Sequence, residues 1–499
     1  RFDRTVQFND DNKVSTITDA DGNETTFTYS GDKLQSVADA FGHSLTFTYN
    51  GDYLTQISDS AGRSVSYDYD GNNNLTSYTD PEGKVWGYGY DDNHRVLTLT
   101  DPVGVTTITN VYDIFGRVES QTAPRQSGTV TYNLYFSGFR NIEEDADGDQ
   151  TIYYFDEQKN LLGTENALGE RSYRTYDGQR HLFTETDPRG GTTINFYDGN
   201  HNLVYVITPM EMVIRNVYDS DFHLTDTYDP LNNRTHYDYD SEHHPTATTV
   251  YPQSGQSIST GTTYYANGLA YTTTDGRNVS TTLTYDSYGN PATSRTSSFP
   301  AVTYSYDAIG RMQSLTDRAE AHTTFSYDDR NLLISKTDPL GKTTSYAYYD
   351  DGRLHTVTDR NGETTSYSYT PTGKPETVAY HGGSSVSFTY DGDENLVAMQ
   401  DSIGTTSYSY DAANRLAGST DPHGFTISYG RDANGNITSM TYPDGKTVSY
   451  TYDRLNRIET VSIDWLGLSA AYTYDAGDRL TGLTQFNGIQ TSYDYDNAN

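Results

Sequence analysis

Along most of the chain, Thr or Ser alternates with Tyr, Phe or Val for about six residues, and a short polar cluster then interrupts the run. Glu24-Thr25-Thr26-Phe27-Thr28-Tyr29 puts Phe27 and Tyr29 on one face of a strand and Thr26 and Thr28 on the other. A period of two is the mark of a half-buried β-strand. The interrupting clusters are Asp-x-x-Gly or Asp-Pro-x-Gly, as in Thr79-Asp80-Pro81-Glu82-Gly83. Asp bonds the backbone of such a turn, Pro presets φ and Gly supplies a positive φ. No window carries a convincing helical period. The pattern predicts an all-β protein of short antiparallel strands joined by tight turns.

The pattern also repeats. Tyr-x-Tyr-Asp-x-x-Gly-Arg/Asn-Leu recurs, for example at Tyr304-Ser305-Tyr306-Asp307-Ala308-Ile309-Gly310-Arg311-Met312 and at Tyr408-Ser409-Tyr410-Asp411-Ala412-Ala413-Asn414-Arg415-Leu416. Taking the second aromatic as a register mark gives 24 marks from Phe8 to Tyr495, a mean spacing of about 21 residues. Phe8 and Phe155 are conservative departures from Tyr, and Arg431 is not. A second turn, Thr-Asp-x-x-Gly, follows roughly ten residues after each mark, as at Thr337-Asp338-Pro339-Leu340-Gly341. A period of this kind decides architecture. Residues 1–499 therefore read as one continuous domain, with a longer loop near 241–262 where the spacing of marks stretches. An apolar pair recurs at i and i+3 after the Tyr-Asp turn: Leu34/Val37, Met312/Leu315, Leu354/Val357. In a regular strand its members face opposite sides, so either both faces carry apolar packing or a bulge realigns them.

Composition sets the shape. Leu, Ile, Val and Phe make up only about 17% of the 499 residues, and the net charge is −35. Those values alone suggest disorder. The 47 Tyr oppose it, because each buries a large area and keeps a polar tip. Two strands per repeat give about 48 strands, far beyond the roughly ten that a twisted sheet carries before it curls or splits. With too little aliphatic volume for a solid centre, the expected form is a ribbon curling into a hollow spiral shell, packed by tyrosine ladders.

Several functions are excluded. The acidic charge repels nucleic acid and anionic lipid. No apolar run is long enough for a membrane-spanning helix. Zero Cys removes disulfides and thiolate metal sites. The start at Arg1-Phe2-Asp3-Arg4 reads as a segment cut from something longer.

The candidate chemistry resolves into structure. His236, His243 and His244 form the densest histidine cluster and read as a polar loop. Asp19-Ala20-Asp21-Gly22 and Asp145-Ala146-Asp147-Gly148-Asp149 have the close carboxylates of a Ca²⁺ loop, but lack its closing Glu and fall on the repeat's own turn. Arg117, Arg311, Arg353, Arg415, Arg457 and Arg479 follow the Tyr-Asp turn and are expected to pair with Asp of neighbouring repeats. No Gly-x-Ser-x-Gly elbow or phosphate loop is present. No catalytic, cofactor-binding or metal-binding residue is assigned, and an enzyme is not expected.

The iterated Tyr-x-Tyr-Asp-x-x-Gly-Arg-Leu and Thr-Asp-x-x-Gly strings, over the whole chain, resemble the YD repeats of the Rhs (rearrangement hot spot) family. The same repeats occur in the B and C components of insecticidal toxin complexes and in teneurins. The resemblance implies a β-sheet ribbon wound into a shell that encloses a C-terminal toxin, in a secreted or cell-surface bacterial protein. It also implies partners: a polypeptide passenger or the remaining shell segments, or glycans. The rival reading is an extracellular adhesion or carbohydrate-binding module without cargo. A glycan-active enzyme is a distant third. The family's cleavage motif, Asp-Pro-x-Gly-Leu, is not met. The nearest string, Asp464-Trp465-Leu466-Gly467-Leu468, has Trp in the Pro position and reads as a repeat turn, so self-cleavage is carried over to no residue.

Overall fold

The computed structural model describes residues 4–252 and 256–495. Among them, 47 strands succeed one another, and each pairs only with its sequence neighbours, always antiparallel. One helical turn, Asp464–Leu466, closes the hairpin between Ile458–Ile463 and Leu468–Tyr474, with Gly467 left-handed at φ 63°. The Asp464–Leu468 string is thus a hairpin loop. No helix among the described residues is long and apolar enough to cross a membrane.

The turn at Asp307 shows how the repeat is built. Gly310 N–H donates to Asp307 O at 3.0 Å, and Asp307 N–H donates to Arg311 O at 2.9 Å. Asp307 Oδ1 accepts from the N–H groups of Ile309 and Arg311, at 3.1 and 3.0 Å. The fourth residue must be left-handed: Gly310 has φ 80° and its counterpart Asn73 has φ 70°, conformations that Gly and Asn reach most cheaply. The turn leaves a bulge, because Ser305 faces Ser314 while Tyr306 faces Met312 and Gln313 is passed over. Tyr304 and Tyr306 therefore meet Leu315 and Met312 on one face. The same shift aligns Leu34/Val37 and Leu354/Val357, so the bulge explains the i, i+3 pairs.

Each bulge needs a donor for a carbonyl that regular pairing does not serve. The Tyr of the following repeat supplies it: Tyr348 OH donates to Leu333 O at 2.8 Å, and Tyr452 OH to Ile437 O at 2.9 Å. Arg431, the departure from Tyr, does the same work with its guanidinium, donating from Nη2 to Leu416 O at 3.1 Å.

Packing follows the wall. Only Ala123, Val448 and Ala470 are buried apolar residues among those described, and no large side chain is fully buried. One face carries hydroxyl rungs, such as Thr263–Thr272 at 2.6 Å and Ser326–Ser335 at 2.6 Å. On the other, each mark Tyr is covered from the preceding turn by Arg or His more often than by another Tyr. Arg457 lies 4.6 Å from the Tyr474 ring, Arg95 4.4 Å from Tyr112, and His223 stacks on Tyr239 at 4.7 Å. Each such cation–π contact contributes about 0.5–1 kcal/mol where exposed.

The expected curling of one ribbon into a closed, barrel-like spiral shell is corrected. There are two open sheets, of 16 and 31 strands, in plain sequence order, with no pairing between distant strands. They are neither closed into a barrel nor curled into a spiral. The first sheet ends at Leu161–Glu165 and the second begins at Tyr173–Tyr176, joined by the single bridge Glu165–Arg171. The physical reason is that the bulge in each repeat bends and twists its strand locally, so a long ladder is accommodated hairpin by hairpin instead of by edge-to-edge closure. In the stretch expected to be a loop near 241–262, Pro245–Tyr251 and Ile258–Tyr264 pair as strands; Gln253, Ser254 and Gly255 lie outside the described residues.

The tyrosines give the wall a pH limit. Burial raises the phenol pKa of Tyr218, Tyr239, Tyr348 and Tyr452 above its ordinary value, with nearby carboxylates adding to it. The unfolded chain then loses protons first, so stability is intact below the unfolded value of about 10 and falls as pH rises past it. We expect phenolate absorbance and loss of far-ultraviolet β signal to rise together in an alkaline titration. A smooth phenol titration at the ordinary value with the β signal unchanged would contradict this.

Candidate functional site

The feature that local rules do not generate is a seam between two rows of turns. Thr-Asp turns of the first half of the chain meet Tyr-Asp turns of the second half, 223 to 268 residues later. Asp329 N–H donates to Glu82 Oε1 (2.7 Å), Ala146 N–H to Asp393 Oδ1 (2.8 Å) and Asn434 Nδ2 to Asp187 Oδ2 (2.8 Å), each pair 247 residues apart. Arg415 grips Glu170 with both terminal nitrogens, at 3.0 and 3.2 Å, across 245 residues. Lys84 Nζ lies 2.6 Å from Asp350 Oδ1. Arg63 reaches Asp329 O at 3.0 Å and Asn331 Oδ1 at 2.6 Å. At the start of the row, Asn23 Nδ2 donates to Asn267 O, and Asp21 Oδ2 meets His244 Nε2 at 3.0 Å.

Arg189 is its most connected side chain. Nη2 donates to Tyr452 O at 2.9 Å, and Nη1 to Asp453 O at 3.0 Å and Asn456 Oδ1 at 3.1 Å, while Nε lies 3.3 Å from Asp432 Oδ2. Bonds of a cation to carbonyls and carboxylates are stronger than neutral ones. Tight backbone fit adds to the seam: a Cβ on Gly268 would lie 2.3 Å from Asp21 Oδ2, and one on Gly477 2.9 Å from Leu231 Cδ1.

The sequence-derived candidates fall as follows. Asp19 spends its Oδ1 on the N–H groups of Asp21 and Asn23, as a turn residue does. Asp145 does likewise for Asp147 and Asp149. Both turns lie on the seam, and at the second, burial followed by neighbouring carboxylates raises the pKa of Asp147 and Asp393. The expected Asp–Arg pairing between repeats is corrected. Arg117, Arg311, Arg415, Arg457 and Arg479 bind the Asp of their own turn, four residues earlier, and Arg353 binds Asp351. The five-residue turn brings the side chains at its first and last positions together, so the nearest anion wins. Toward the next repeat the guanidinium reaches a carbonyl, as from Arg353 Nη1 to Thr370 O at 2.9 Å, and Arg457 adds a carboxylate there, Asp478 at 2.6 Å.

The histidine cluster is taken apart. His236 binds Asp226 and Asp238, His244 binds Asp240 and Asp21, and His243 joins His223 and Asp221 instead. Glu82, Glu170 and Arg189 were missed because each reads as an ordinary polar residue within a turn; no local signal marks them.

Among known sequences, the family described as RHS Repeat matches residues 49–85 and 69–107, and the family described as Teneurin YD-shell matches residues 336–464. No curated protein matches the chain in sequence. Its fold is similar to the crystal structure of TcdB2-TccC3, with 13% identity and TM-score 0.68 over 96% of this chain and 35% of that one. The same complex without its hypervariable C-terminal region gives 12% identity and TM-score 0.69, over 96% and 37%. A Photorhabdus luminescens Tc holotoxin pore gives 13% and 0.63, over 94% and 31%. At such identities the likeness is one of fold. The chain spans about a third of the length of the chains it matches.

Proposed function

We propose that the chain, similar over residues 49–107 and 336–464 to YD-repeat, Rhs-like shell proteins, belongs to that family and is a non-enzymatic wall segment of a bacterial secreted toxin, one that helps to house a polypeptide passenger. Family membership is consistent with a secreted or surface-associated bacterial protein. The likeness to Tc-toxin shell proteins is consistent with a structural, encapsulating role.

The observation that carries the reading is the registered seam. Contacts between turns 223 to 268 residues apart join two rows of turns along much of the chain, from Asp21–His244 to Arg189–Asp453. A barrier to proteases needs such lateral joining, since a single sheet edge with unpaired N–H and C=O groups stays open to other chains. The outer strands, Thr5–Phe8 and Gln490–Ser492, are edges of this kind; further wall segments of the parent protein would cover them. The wall contributes confinement, and hydroxyl rungs make one of its faces polar.

The test is protease protection. The parent protein is expected to shield its passenger, and Glu170→Ala combined with Arg189→Ala is expected to speed passenger cleavage. A passenger cut as fast inside the parent protein as when free would contradict the reading. Saturable binding in a glycan array together with an unshielded passenger would favour the adhesion module.

A further inference from the structure

We propose that Asp221, His223 and His243 bind a divalent transition metal of the zinc, nickel or cobalt class and so pin two successive turns together. The ligand atoms of the three residues all lie within 4.8 Å of one another, and among the described residues they are the one three-ligand group of this kind. They come from two elements. Asp221 and His223 belong to the turn opened by Asp219, and His243 to the turn opened by Asp240, one repeat later. A cation held among them would bridge neighbouring turns where the wall otherwise relies on stacking.

The ligand set fits the metal class. Two imidazoles and one carboxylate, with positions left for water, suit borderline cations; a hard cation such as Ca²⁺ takes about six to eight oxygens. The first ring is already oriented. His223 Nδ1 bonds Asp219 Oδ2 at 3.0 Å, which sets the imidazole tautomer and leaves Nε2 for coordination. Its face rests on Tyr239, 4.7 Å between centroids. The His243 ring lies 4.6 Å from the His223 ring and is tilted by 32°, so the two imidazoles stand side by side. The neighbouring pair His181–His201 differs. Among the described residues no carboxylate completes a three-ligand group with those two rings. The pair is an internal control.

The experiment is calorimetric titration of the 499-residue chain with Zn²⁺ alone, with folding of every variant checked by circular dichroism. One saturable site is expected. His243→Asn keeps a residue that accepts the left-handed φ of 71° at this position, and His223→Ala removes the second imidazole. Each is expected to weaken binding at least about tenfold, and Asp219→Asn, which keeps an Oδ1 for the Asp221 and His223 N–H groups but removes the carboxylate oxygen that orients the His223 ring, by about 10–100-fold. His201→Ala is expected to leave binding unchanged. Absence of saturable binding would overturn the proposal. So would binding that survives both His223→Ala and His243→Asn, or that is lost with His201→Ala.

Discussion

Gly163→Ala is expected to destabilise the protein by about 2–3 kcal/mol, the scale of forced overpacking. Gly163 is buried near the end of the first sheet, opposite Tyr154. A Cβ there would stand 2.2 Å from the backbone oxygen of Ser172 and 3.2 Å from its carbonyl carbon. Backbone cannot swing aside as a flexible side chain can. The blocked approach is also the one that joins the two sheets, where Ser172 N–H donates to Thr164 O at 2.9 Å and Glu165 bridges Arg171. The substitution should therefore loosen the junction before it loosens either sheet. Hydrogen exchange should quicken first at Thr164 and Ser172, with a lower urea midpoint. Gly178→Ala is the control, since its Cβ would meet nothing within 4 Å. Equal midpoints for the two variants would contradict the account of the junction.

Arg189→Ala should cost about 1.5–3 kcal/mol, the range for hydrogen bonds that involve a charged group. The loss leaves the carbonyls of Tyr452 and Asp453 and the carboxylate of Asp432 without their shared donor. The side chain is 27% exposed, so water recovers part of the lost bonding, and the estimate stays below that for a fully buried pair. Arg189→Lys keeps the charge but not the planar fork, and should restore less than half of the loss. The measurement is hydrogen exchange at the turns near Asp432 and Asp453, alongside the unfolding midpoint. A lysine variant equal to the parent would mean that charge alone holds the seam.

Strands and turns were legible because their causes are local. Asp307 and Gly310 carry the turn in their own chemistry, and Phe27 and Tyr29 carry the alternation. The i, i+3 spacing of Met312 and Leu315 left two explanations open, packing on both faces or a bulge, because a period of two cannot reveal where register slips; the bulge is the one found. The role of Arg431 was hidden for a related reason: a guanidinium and a phenol look unlike, yet both donate to the same bulge carbonyl. Openness was misjudged because the strand-number argument presumes closure through strand pairing, whereas distant parts of the chain meet through side chains of their turns with no ladder between them. The seam was beyond reach. Glu82 and Asp329 are each ordinary turn residues, and nothing near either one specifies a partner 247 residues away. For the histidines, closeness along the chain misled. His243 and His244 are adjacent in sequence, but the turn sends one to His223 and the other to Asp21.

The most direct test of the seam is a zero-length carbodiimide cross-link, read by mass spectrometry on the monomeric chain. Such a reagent joins an amine to a carboxylate only where they touch, and Lys84 Nζ lies 2.6 Å from Asp350 Oδ1. The account predicts a Lys84–Asp350 cross-linked peptide that Asp350→Asn abolishes. Cross-links confined to residues within neighbouring repeats, with Lys84 joined to none in the second half of the chain, would contradict it.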